Sequence, residues 1–152
     1  MLQQHFKSKL ITYIEEKHTK DEVLEILANL VKNNYESLSQ DDSFYTNIIE
    51  REKLGSTGIG QGIAIPHTRS EKIIDPVIAV ALLKHSVNFN APDGENVKLV
   101  LLVVAPKGQN REYLSLISEL VRTFRNEKLK NNVICANNYQ ELLEAIAELK
   151  WE

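Results

Sequence analysis

The spacing of apolar and polar positions divides the chain into three stretches. The N-terminal third is helical in pattern. Val23, Leu24, Leu27, Leu30 and Val31 recur at helical intervals, which predicts a helix with one buried face. Thr19 and Glu22 precede them at the spacing of a capping box, in which hydroxyl and carboxylate each satisfy a free backbone N–H. A second helix is expected from about Asp41 to Lys53, with Phe44, Ile48 and Ile49 on its apolar side. Gly55 lies just past its end, where a left-handed residue would be cheap.

The middle third changes period. Gly62-Ile63-Ala64-Ile65 is a short apolar run ending at Pro66. Val77 to Leu83 and Val97 to Val104 are nearly continuous apolar runs rich in β-branched residues, bounded by Pro76, Pro92, Asp93-Gly94 and Pro106. These are strand signals, and runs of this kind belong to strands covered on both faces. The segment Phe89 to Val97 reads as a turn around Asp93-Gly94.

The last third is helical again. Tyr113, Leu114, Leu116, Ile117, Leu120, Val121 and Phe124 form one stripe, and Leu142, Leu143, Ile146 and Leu149 form another after Asn137-Asn138. Helices before and after a strand block predict an α/β sandwich, a central sheet with helices on both faces. No linker or repeat divides the sequence, so residues 1–152 are expected to form a single domain.

Composition narrows the function. Charged residues make up 26% and the net charge is −3, without the basic excess typical of a nucleic-acid binder. The first residues lack the apolar core of a signal peptide. The most apolar stretch, Lys98 to Ala105, is far short of the roughly 20 residues of a membrane helix. The lone Cys135 follows an apolar pair with no histidine or basic residue beside it, and reads as a small buried or half-buried filler. A cytoplasmic protein is expected, and Met1 with a polar C-terminus reads as a separate subunit.

Three features could carry chemistry. Gly55-Ser56-Thr57-Gly58-Ile59-Gly60-Gln61-Gly62 is neither a P-loop nor a dinucleotide fingerprint. It is either a flexible connection or a loop whose backbone amides approach an anion. His67 follows an apolar strand through Pro66, where the chain leaves the sheet. It is either structural or a nucleophile, since neutral imidazole is well populated near pH 7. Arg51 ends the second helix, either as a solvated cation complementing the dipole or as a forked phosphate partner. No GxSxG elbow or clustered metal ligands accompany them. His5, His18 and His85 read as solvated surface residues.

The run Arg51-Glu52-Lys53-Leu54-Gly55-Ser56-Thr57-Gly58-Ile59-Gly60, continuing to Ala64-Ile65-Pro66-His67, resembles the active-site signature of bacterial enzyme IIA domains. These belong to the phosphoenolpyruvate-dependent sugar phosphotransferase system, in its mannitol/fructose class with nitrogen-regulatory paralogues. The resemblance covers nearly the whole chain, through Asn88-Phe89-Asn90, Asp93-Gly94, Val97 to Ala105 and a helix from about Arg111. It implies a central mixed sheet flanked by helices. It also implies that His67 accepts a phosphoryl group and that Arg51 lies near the phosphohistidine. The implied donor is the histidine-containing phosphocarrier protein; the acceptor is usually a cysteine of an enzyme IIB domain. No metal or other cofactor is implied.

The sequence departs from the pattern at one place. Family members often carry a second active-site histidine opening the later helix; here Asn110-Arg111-Glu112-Tyr113-Leu114 puts Tyr113 in its place. A phenol can donate a hydrogen bond to a phosphoryl oxygen but cannot become cationic. Tyr113 is otherwise a partly buried residue of the apolar stripe. Arg111 is a candidate to restore the charge, and Ser56, Thr57 and Thr68 are further candidate donors.

Overall fold

In the computed structural model, which describes residues 2–149, the two long apolar runs pair with each other. β5 (Val77–Val87) and β6 (Val97–Pro106) lie antiparallel at the centre of one mixed sheet of six strands. β1 (Phe6–Ile14) flanks β5 in parallel. On the other side of β6 lie β3 (Ile63–Ala64) and β4 (His67–Ser70), one after the other and both parallel to it. β2 (Gly58–Gly60) adds to β3 in antiparallel sense.

Alternation along the central strands builds two cores. Val100, Leu102 and Val104 of β6 join Ala79, Ala81 and Leu83 of β5 under α1 (Lys20–Asn34) and α2 (Ser43–Leu54). Leu99, Leu101 and Val103 join Ile78, Val80 and Leu82 on the opposite face. That face is covered by α3 (Asn110–Arg125), α4 (Glu127–Ile134) and α5 (Tyr139–Ala147). Both faces are therefore covered, as the continuous apolar strands predict. The Thr19 capping box is present: Thr19 Oγ1 accepts from Glu22 N at 3.2 Å, and Glu22 Oε1 accepts from Thr19 N at 2.9 Å. The Asp93 turn is also present, with Gly94 in the left-handed region.

The structure corrects several expectations. The N-terminal third is not wholly helical, because it opens with β1. Lys7, Ser8 and Lys9 are all exposed, so this edge strand shows no clean alternation; its pairing with β5 is a tertiary event. α4 is a separate helix, capped by Asn126, whose side chain accepts from Lys128 N and Leu129 N. β5 runs past Leu83 to Val87, so His85 sits on its exposed irregular end. Gly55 is extended, with φ 168°, rather than left-handed. Cys135 is exposed at the end of α4, not a filler. No helix among the described residues is long and apolar enough to cross a membrane.

Phe124 is 1% exposed in the core beneath α3. Phe124→Ala should cost about 3–5 kcal/mol of unfolding free energy in urea titrations, from lost transfer energy and the cavity left behind. Thr19→Ala should cost about 1 kcal/mol, from one lost cap.

Candidate functional site

The site forms where cover on the sheet edge stops. β2 shields β3, and the shielding reaches Ile65, whose N–H donates to Thr57 O at 3.0 Å. Pro66 has no N–H to give, but its carbonyl accepts from Val103 N at 2.9 Å, so pairing with β6 continues through it. His67 is the first residue of β4, beyond the reach of β2.

The glycine-rich segment is a hairpin that caps the edge; it is neither a flexible connection nor an open cradle. Gly60 and Gln61 take positive φ at its turn, and Asp93 Oδ2 accepts the Gln61 N–H at 2.8 Å. Gly58 packs so close that a Cβ there would meet Ala91 Cβ at 2.8 Å. The Thr57 N–H and hydroxyl both donate to Glu52, at 3.0 and 2.8 Å. The Ser56 hydroxyl donates to Phe89 O and accepts from Gly58 N. The Ser56 and Thr57 hydroxyls and the Thr57 N–H, expected among the phosphate donors, are thus committed to holding the hairpin. Glu52 is buried at 7% exposure and pairs with Lys20 Nζ at 3.2 Å, so one carboxylate ties α1, α2 and the hairpin together.

The same last turn of α2 presents Arg51. Its Nη1 donates to Gly55 O at 3.0 Å, which closes the helix C-terminus. Its charge also acts on His67 and on Tyr113. The helix-end and site readings of Arg51 are therefore compatible in one side chain.

His67 is half-buried, and its Nδ1 lies 2.8 Å from Ile65 O. A carbonyl can only accept, so in the neutral ring Nδ1 carries the proton and donates it there. Nε2 then holds the lone pair and has no hydrogen-bond partner among the described residues. Burial holds the imidazole below the ordinary histidine value, and the Arg51 charge pushes the same way; the Ile65 carbonyl and the Glu52 charge oppose them. The ring is thus kept neutral at pH 7 with one nitrogen available.

Tyr113, in the first turns of α3, meets the His67 ring edge-on at 5.8 Å between centroids. It also packs against the second core, as a partly buried residue of the apolar stripe. Burial keeps its phenol above the ordinary value, against the charges of Arg69 and Arg51, so it remains an O–H donor at neutral pH. Arg111 is exposed two residues earlier, where helical spacing turns it away from the face that Tyr113 presents. The cation beside Tyr113 is Arg69, whose guanidinium lies 4.7 Å from the ring centroid. Sequence reasoning missed Arg69, although two-residue alternation from His67 along β4 would have placed it on the same face. Thr68 falls on the opposite face: it pairs with Val104 of the first core, while His67 pairs with Val103 of the second.

Both the sequence and the fold have counterparts among known proteins. A family model described as "Phosphoenolpyruvate-dependent sugar phosphotransferase system, EIIA 2" matches residues 4–149. A nitrogen regulatory protein of Pseudomonas aeruginosa is 32% identical over 132 residues, 87% of this chain and 85% of that one. A fructose-specific EIIA component of Haloferax volcanii is 27% identical over 141 residues, 93% of this chain and 91% of that one. Among solved structures, the nitrogen regulatory protein IIA-Ntr of Neisseria meningitidis superposes with a TM-score of 0.83 at 27% identity. It covers 95% of this chain and 98% of that one.

His67 should titrate below the ordinary 6.5 in imidazole NMR, with the proton on Nδ1 in the neutral form. The unfolded chain then takes up its proton first as pH falls, so folding stability should decline as pH drops below about 6.5. His67→Gln should flatten that part of the urea-midpoint profile. Glu52→Gln should cost about 3 kcal/mol by stranding Lys20. It should also speed amide hydrogen exchange at Thr57.

Proposed function

The chain belongs to the EIIA type 2 family of the phosphoenolpyruvate-dependent sugar phosphotransferase system, and from that premise we propose that His67 Nε2 is its phosphoryl acceptor. The observation that carries the reading is the Nδ1–H bond to Ile65 O, which fixes the tautomer and leaves Nε2 nucleophilic. The family resemblance supplies the donor, the histidine-containing phosphocarrier protein. The Nε2 lone pair attacks phosphorus in line; the P–N bond to the donor imidazole breaks as the new P–N bond forms. The proton stays on Nδ1, so the ring becomes cationic against the Ile65 carbonyl. The chain's part is positioning and charge stabilisation. Arg51 supplies guanidinium donors to the phosphoryl oxygens, and Tyr113 offers its phenolic O–H.

In the transport reading, a cysteine thiolate of an enzyme IIB domain then attacks the same phosphorus, and His67 leaves neutral. The protein would work in the cytoplasm, feeding a sugar permease. A second reading has support from the nitrogen regulatory relatives of Pseudomonas and Neisseria. There the phosphate on His67 is a switch that alters charge at a docking surface, and no cysteine acceptor is needed.

Intact-mass measurement at mildly alkaline pH tests the acceptor. The protein is incubated with phosphoenolpyruvate, enzyme I and the histidine phosphocarrier. A gain of one phosphate is expected, labile in acid and absent in His67→Ala; no gain on folded wild-type protein refutes the reading. Arg51→Ala should slow transfer about tenfold to a hundredfold with the fold intact. Onward transfer to a purified enzyme IIB domain supports transport, whereas a persistent phosphohistidine with no competent enzyme IIB acceptor supports the switch.

A further inference from the structure

We propose that Arg69 is a second phosphoryl-binding cation, which holds the group carried by His67 from the side opposite Arg51. The proposal rests on the phosphocarrier reading. Arg69 Nε and Nη2 are shut off from solvent and have no hydrogen-bond partner. No carboxylate among the described residues forms an ion pair with it. A buried charged donor left unpaired is costly, and such a group calls for a partner that arrives during function.

Three features point that partner to the histidine. Arg69 follows His67 by two residues on β4, so both side chains leave the same face, roughly 7 Å apart along the strand. Tyr113 touches both: its ring centroid lies 4.7 Å from the guanidinium and 5.8 Å from the His67 ring. The Tyr113 contact is to the aromatic ring and takes no hydrogen bond from Nε or Nη2, which leaves those donors uncommitted. That planar fork matches two oxygens of a phosphoryl group.

The arrangement also accounts for the departure at Tyr113. The phosphoryl group brings roughly two negative charges to a site where the second histidine of the family pattern is missing. Arg51 reaches it from α2 on one side of the sheet, and Arg69 faces α3 on the other. Tyr113 orients Arg69 and does not need to become cationic itself.

The test follows the Arg69 Nε–H resonance by NMR, before and after enzymatic phosphorylation of the full chain. It also compares transfer kinetics of Arg69→Met and Arg69→Lys. We expect the resonance to move downfield and to exchange more slowly on phosphorylation. Transfer by Arg69→Met should fall about tenfold to a hundredfold, with partial recovery in Arg69→Lys. A role confined to packing on Tyr113 would lower the melting temperature of Arg69→Met but leave the resonance unmoved. An unmoved resonance on phosphorylated wild-type protein overturns the proposal whatever the variants do, including a methionine variant that fails to fold. Wild-type protein that takes no phosphate on His67 overturns the phosphocarrier reading itself, and Arg69 with it. The two failures are therefore distinct.

Discussion

One buried carboxylate holds the site together. Glu52 sits in the last turn of α2 and accepts the Thr57 N–H and hydroxyl while pairing with Lys20 of α1. A charge this deep is tolerable only when it is paired and hydrogen-bonded, so α1, α2 and the glycine hairpin must adopt one arrangement together. The preceding residue, Arg51, is thereby aimed away from the interior toward the sheet edge. The hairpin so fixed covers β3 and stops, and that stop defines where His67 begins to be accessible. The position of His67 is thus a by-product of how a buried charge is satisfied several residues away.

The edge itself tunes the imidazole. Half-burial penalises the cationic ring, and the adjacent Arg51 charge penalises it further. The Ile65 carbonyl selects the tautomer. A ring freely exposed on a loop would have neither constraint. Pro66 lets the backbone continue along β6 without demanding an N–H acceptor, so the histidine is held on a strand rather than on a mobile tip. Rigid presentation of this kind suits phosphoryl transfer, in which the protein contributes geometry and charge more than covalent chemistry.

The charges around the site are distributed over both sides of the sheet. Arg51 comes from the α2 side, and Arg69 faces the α3 side beside Tyr113. Two guanidinium groups therefore stand near His67 and Tyr113, although Tyr113 takes the place of the second histidine of the family pattern. The relatives divide between nitrogen-regulatory and sugar-specific proteins, and the shared fold serves both.

Much of this was legible in the residues alone. Apolar runs at Val77 to Leu83 and Val97 to Val104 declared a doubly covered sheet, and Thr19 with Glu22 declared a helix start. Both signals are local, because they depend on residues a few positions apart. The Arg51-to-His67 signature carried the family resemblance for the same reason. Only the tertiary structure decided the rest. β1 is a strand because β5 offers it a partner, not because its own pattern demands it. Ser56 and Thr57 hold the hairpin rather than face the histidine, because Glu52 and Phe89 lie within reach only after folding. Cys135 is exposed because α4 ends at the surface there. That Arg69 lies against Tyr113 was decided only once α3 packed beside β4. What one chain segment prefers can be read from its sequence; which distant group satisfies its charges and hydrogen bonds is settled by packing.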